Sequence, residues 1–123
     1  MRSIPSGGAS MTRFNKYNAK KVTYQGITFD SKRERDRWLV LCDMQKRGEI
    51  FDLERQVPVF LEGKNGPVLG GIGGGQMRMT VDFKYVDSAT GLTVYDDAKG
   101  FETPDFKVKK YVLKAQGIEV ILT

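Results

Sequence analysis

A mixed α/β domain, with helices packed against a central sheet, is the fold class this sequence predicts. Two segments carry both helix start and stop signals, Ser31 to Gly48 and Thr103 to Gly117. Four runs read as strands: "EIFDLERQVPVFLEG", "MRMTVDFKYV", "LTVYDDAKGF" and "IEVILT". At 123 residues and 40% hydrophobic content, the chain is long enough for one core and too short for two comfortable domains.

Residues 1 to about 12, "MRSIPSGGASMT", are Ser/Gly-rich without periodicity and are expected to be disordered, which leaves one domain over 13–123. Met11 is a second candidate start of the compact protein. "KKVTYQGITFDS" then reads as a short hairpin turning at Gln25-Gly26. Ser31 and Glu34 form a capping-box pattern ahead of a helix whose apolar stripe is Trp38, Leu41 and Cys42, stopped by Gly48. A strand of about eight residues ends near Leu61.

Lys64 to Gln76 is glycine-rich, lacks the Gly-Lys-Ser/Thr ending of a phosphate-binding loop and leads into no helix, so it reads as a flexible hairpin tip. Two strands joined by "DSATG" follow, with Gly91 suited to a bulged turn. Thr103 is the N-cap of the second helix, Pro104 its first residue, and Gly117 follows its end. "IEVILT" closes the order helix, three strands, helix, strand.

Composition narrows the chemistry. The chain has no histidine, which removes Ser-His-Asp and Cys-His catalysis, histidine-bound zinc and any histidine base. A single cysteine, Cys42, excludes an internal disulfide and a cysteine-built metal site, and points to an intracellular setting. No apolar run approaches a membrane span and no signal-peptide pattern opens the chain. The charge of +5 favours an anionic partner. Any catalysis must therefore fall to carboxylates, lysine and a hard cation.

"VYDDAKG", Val94 to Gly100, places two acids and a lysine where the pattern reads as strand. An exposed edge strand would explain them, but Asp97 and Lys99 share a face. A hairpin closed by Val86 and Thr93 sets Asp82 opposite Asp97, with Cβ atoms about 5 Å apart. Carboxylates that close repel unless protonated or bridged by a cation, and a divalent metal resolves this most simply. Asp96 points to the other face, as a solvated or paired bystander. Glu34 lies on the inward stripe of the first helix, where its spacing from Ser31 favours a capping role.

An acid in the first helix, an Asp in one strand and Asp-x-Lys in the next resemble the PD-(D/E)XK nucleases. "FDSKRERDRW", "LERQVPVF", "TVDFKYVD" and "DDAKGFETPDFKVKKYVL" are similar to a family of small phage-encoded proteins in that superfamily. The resemblance runs from about Asn15 to the C-terminus and implies a restriction-endonuclease-like αβββαβ core. It also implies Glu34, Asp82 and Asp97 around Mg²⁺ or Mn²⁺, Lys99 as catalytic, and Gln56 of "ERQVP" beside the site. Val81 stands where the signature has proline, and Asp97 where glutamate is more usual.

That resemblance makes the expected activity a metal-dependent endodeoxyribonuclease of phage type, hydrolysing phosphodiester bonds in the cytoplasm of a bacterial host. Relatives of this size often work as dimers on branched DNA, which extends the expectation to a homodimer resolving Holliday junctions. Lys32, Arg33, Arg35 and Arg37 crowd the first helix, and Lys107, Lys110 and Lys114 form one face of the second, opposite Val108, Tyr111 and Ala115. Beside a nuclease-like centre these are candidate phosphate contacts, with no membrane partner expected. The alternatives are a DNA-binding module of the same fold without turnover, and a structural or protein-interaction component of a phage.

Overall fold

The computed structural model describes residues 20–70 and 72–123. The Ser/Gly-rich stretch 1–12, and with it Met11, lies outside the described residues. The chain divides into two compact units, Met1–Arg35 and Asp36–Thr123, with the boundary inside the first helix.

In the first unit, β1 (Val22–Tyr24) and β2 (Ile27–Phe29) pair antiparallel. Their turn holds Gln25 at φ 50 and Gly26 at φ 81, the left-handed pair that a two-residue hairpin requires. Helix α1 (Lys32–Lys46) starts behind Ser31, whose Oγ accepts from the Glu34 N–H at 3.1 Å. The Glu34 carboxylate accepts from the Asp30 N–H at 2.9 Å, so the capping box closes one residue earlier than the standard pattern.

The second unit carries the sheet. Gly48, at φ 78, ends α1, and the Glu49 N–H returns to the Met44 carbonyl at 2.9 Å. Strand β3 (Ile50–Phe60) has 11 residues rather than the eight expected. A bulge between Phe51 and Glu54 takes up an extra residue, with Asp52 at φ 57, and lets pairing continue. The glycine-rich connection is more ordered than a plain hairpin tip. Its β5 (Gly66–Pro67) pairs with β4 (Glu62–Gly63) just before it, and a bridge joins Leu69 and Gln76.

Strand β6 (Arg78–Asp87) runs between β3 and β7 (Thr93–Asp97), antiparallel to both. Helix α2 (Pro104–Ala115) leads to β8 (Val120–Leu122), which pairs parallel with β7, giving a mixed sheet in the order β3-β6-β7-β8. Thr103 caps α2, its Oγ1 accepting from the Phe106 N–H at 3.1 Å. Alternation along β6 buries Met79, Val81, Phe83 and Tyr85 and leaves Arg78 and Thr80 exposed.

Those buried side chains divide between two apolar clusters. Met79 and Val81 pack with Phe106 and Leu113 of α2, while Phe83 and Tyr85 pack with Leu41 of α1 and Ile50. Trp38 stacks on Phe83 with ring centroids 6.1 Å apart. Among the described residues, no helix is long and apolar enough to cross a membrane.

Candidate functional site

The hairpin register is the one the sequence implies: Val86 pairs with Thr93 and Phe83 with Asp96, so the next step sets Asp82 beside Asp97. There the regular ladder gives way to side chains. The Asp82 N–H donates to Asp97 Oδ1 at 2.8 Å, and the Ala98 N–H donates to Asp82 Oδ2 at 2.9 Å. Each carboxylate thus takes the place of a backbone carbonyl where β7 leaves β6, and the exchange holds the two acids together.

Asp97 is 1% exposed, and its Oδ2 is buried without a hydrogen-bond donor. Lys99 Nζ lies 3.5 Å from that oxygen, near enough for an ion pair and too far for a good hydrogen bond. Burial pushes the Asp97 carboxyl above the ordinary aspartate range, while the charge of Lys99 and the Asp82 N–H pull the other way. Lys99 also sits over the Phe106 ring, 4.9 Å from its centroid.

Gln56 joins this group from β3. It lies in mid-strand at φ 51, between the pairs Arg55–Phe83 and Val57–Val81, and its amide donates to Asp82 Oδ1 at 3.3 Å. A left-handed residue inside a strand is strained unless it is glycine, and here the distortion accompanies a contact to the acid.

The oxygen set suits a hard divalent cation. Asp97 Oδ2 is a buried carboxylate oxygen without a donor, on the acid whose Oδ1 is held by the Asp82 N–H. Among the described residues, no group of three or more His, Cys, Asp or Glu side chains is placed to hold a metal. Mg²⁺ commonly takes one or two carboxylates and completes its shell with water and phosphate oxygens, a share that Asp82 and Asp97 can supply. Glu34 belongs to the first unit, is 2% exposed and is engaged with the helix start.

Asp96 is paired rather than solvated. It is fully buried, and its Oδ2 accepts from Arg37 Nη2 at 2.8 Å, Arg37 Nε at 3.1 Å and the Tyr85 hydroxyl at 2.7 Å. Thr123 Oγ1 donates to Asp96 Oδ1 at 2.8 Å, and the Thr123 N–H donates to the Asp97 carbonyl at 3.0 Å. Burial pushes the Tyr85 hydroxyl up to about 12, so it stays a donor to this carboxylate at physiological pH. Tyr85 and Thr123 were not visible as site-adjacent residues from sequence. The available signal was Asp96 opposite Phe83, an acid in register with the core.

The basic candidates separate. Lys32 and Arg33 are exposed and Arg35 is half-buried, all in the first unit. Arg37 turns inward to Asp96 instead of extending that row. On α2, Lys107 and Lys114 are exposed, whereas Lys110 is paired with Glu102 and lies 5.6 Å from the Tyr111 ring centroid. Val108 and Tyr111, opposite the lysines by periodicity, are each 63% exposed. The helix packs through Phe106 and Leu113, two turns apart, and this narrow seam leaves the Val108–Tyr111 side uncovered.

The sequence model of a family described as "Protein of unknown function (DUF1064)" matches residues 14–123. No curated protein and no solved structure matches the chain.

Proposed function

The chain belongs to the DUF1064 family, and we propose that it is a metal-dependent endodeoxyribonuclease of PD-(D/E)XK type with a restriction-endonuclease-like core. The observation that carries this reading is the convergence of Asp82, Asp97 and Lys99 where β7 leaves β6. Asp82 and Asp97 would hold Mg²⁺ or Mn²⁺, with Glu34 the further acid that the sequence resemblance adds. The chemistry such an ion supplies is charge neutralisation on a phosphodiester and a water that loses its proton more readily.

The chain's own residues then have separable tasks. Asp82 and Asp97 concentrate negative charge at one point and are held there by backbone N–H groups, so little reorganisation is needed on binding. Gln56 restrains the Asp82 carboxylate from the opposite strand. Lys99 brings a positive charge to the same place, suited to the charge that develops on phosphate oxygens during attack. Exposed Lys107 and Lys114 contribute to backbone contact with DNA, without reading sequence.

A division of labour follows for the two charged partners. Lys99→Ala should keep metal and DNA binding while losing roughly 10²-fold in cleavage rate, as for removal of one preorganised electrostatic group. Asp97→Ala should lose metal affinity and cleavage together. Calorimetric metal titration alongside single-turnover cleavage separates them, and a Lys99→Ala protein cleaving at the wild-type rate would remove Lys99 from the site.

The second reading is a DNA-binding module without turnover, favoured by the lack of a three-acid group among the described residues. Incubation with duplex, single-stranded and four-way-junction DNA, with and without Mg²⁺ or Mn²⁺, decides between them. Metal-dependent products that vanish in Asp82→Ala support the enzyme. Retarded DNA with no products under any metal condition supports the binding module. A preference for the four-way junction, with a dimer in solution, would establish the junction-resolving role.

A further inference from the structure

We propose that Phe106 is a positioning residue for Lys99, its ring face being a neutral seat that keeps the ammonium at the site when Asp97 is engaged by a cation. The inference rests on the nuclease reading for its catalytic consequence, and on geometry alone for the seat itself.

Among the described residues, Lys99 Nζ has two partners: Asp97 Oδ2 at 3.5 Å and the Phe106 ring centroid at 4.9 Å. They differ in what a second cation does to them. A divalent ion drawn to Asp97 takes up the same carboxylate charge and repels the ammonium, so the ion pair weakens when the site fills. The ring offers only its quadrupole, for which the divalent ion does not compete while it is held on carboxylate oxygens. Lys99 has a flexible four-carbon stem and a side chain 36% exposed, so without the ring it would swing into water.

Phe106 is well placed to stay still. It is 8% exposed, packs in the cluster with Val81, Leu113 and Val120, and lies in the first turn of α2. Its backbone N–H is tied to Thr103 Oγ1 at 3.1 Å. The N-cap thus fixes the helix start, the helix start fixes the ring, and the ring fixes the ammonium.

The test is a proton–carbon NMR spectrum of protein carrying ¹³C at the lysine ε position, with the Lys99 signal assigned by its loss in Lys99→Met. Protons above a ring face are shielded, so the Lys99 ε protons should lie upfield of the other lysines and remain there through a Mg²⁺ titration. Signals at the ordinary lysine position, or a return to it as Mg²⁺ is added, would overturn the proposal. Phe106→Leu keeps an apolar side chain and removes the ring, so it should abolish the upfield shift. It should also slow cleavage about threefold to thirtyfold, the span of a cation–π contact, with the Mg²⁺ dependence unmoved. Phe106→Tyr should restore both, and a Phe106→Leu protein with wild-type cleavage rate would count against the seat. If the wild-type protein cuts no DNA, the nuclease reading fails, while the shift still decides whether the ring holds Lys99.

Discussion

Asp96 and Asp97 are adjacent, equally buried and opposite in character. Asp96 receives two bonds from Arg37 and one each from Tyr85 and Thr123, whereas Asp97 keeps one buried oxygen without a donor. The same substitution should therefore act in opposite directions. Asp96→Asn strands the Arg37 charge and should destabilise by about 2–3 kcal/mol, a little less than a fully buried pair because Arg37 is partly exposed. Asp97→Asn removes a buried charge whose desolvation outweighs its pairing with Lys99, and should be neutral or stabilising near neutral pH. The sign with pH is fixed by the raised Asp97 carboxyl. The folded protein holds that proton longer than the unfolded chain, so this residue's contribution is complete below the ordinary aspartate pKa. It is lost as pH rises through the folded value. Thermal melts of the variant and wild type at about pH 4 and about pH 7 should show the gap widening in favour of Asp97→Asn at the higher pH.

Strand β3 shows how an element can be distorted at a site and stable elsewhere. Its pairing with β6 continues on both sides of Gln56, yet Gln56 itself is left-handed at φ 51. Such a backbone costs about 1 kcal/mol or more for a non-glycine residue. Gln56→Gly should relieve it and raise stability by about 1 kcal/mol, less glycine's own entropy cost, while freeing Asp82 Oδ1 from the Gln56 amide. Chemical denaturation and single-turnover cleavage on the same protein test the pair of effects, and a rise in both stability and rate would show that the distortion serves no site. The end of β7 has the converse design, since carboxylate acceptors there stand in for a ladder and allow the strands to part without orphaned N–H groups.

For the whole molecule, a formal charge of +5 sets the expected response to salt. DNA affinity should fall steeply from low to physiological ionic strength, because bound phosphates release counterions. Lys107→Glu and Lys114→Glu should each weaken binding across all DNA sequences and reduce the logarithmic salt slope by about 1. Arg37→Ala should instead lower the melting temperature and leave the slope unchanged, since its guanidinium is engaged with Asp96. Binding isotherms at several salt concentrations check all three, and a flat affinity would contradict the phosphate-contact role.

What was legible in the sequence is what local rules govern. Capping residues Ser31 and Thr103, the Gln25-Gly26 turn and the stops at Gly48 and Gly117 depend on backbone groups within a few positions, so both helices and the first hairpin could be placed directly. The register joining Asp82 to Asp97 was also legible, because side-chain alternation and a short turn leave little freedom in a hairpin. Tertiary structure alone decided which charges are spent inside. Arg37 and Asp96 lie 59 residues apart, and nothing local marks either as the other's partner. Only packing placed Phe106 under Lys99, turned Val108 and Tyr111 outward, and left one oxygen of Asp97 buried without a donor. Those features follow from which surfaces exclude water, a property of the assembled chain and not of any segment.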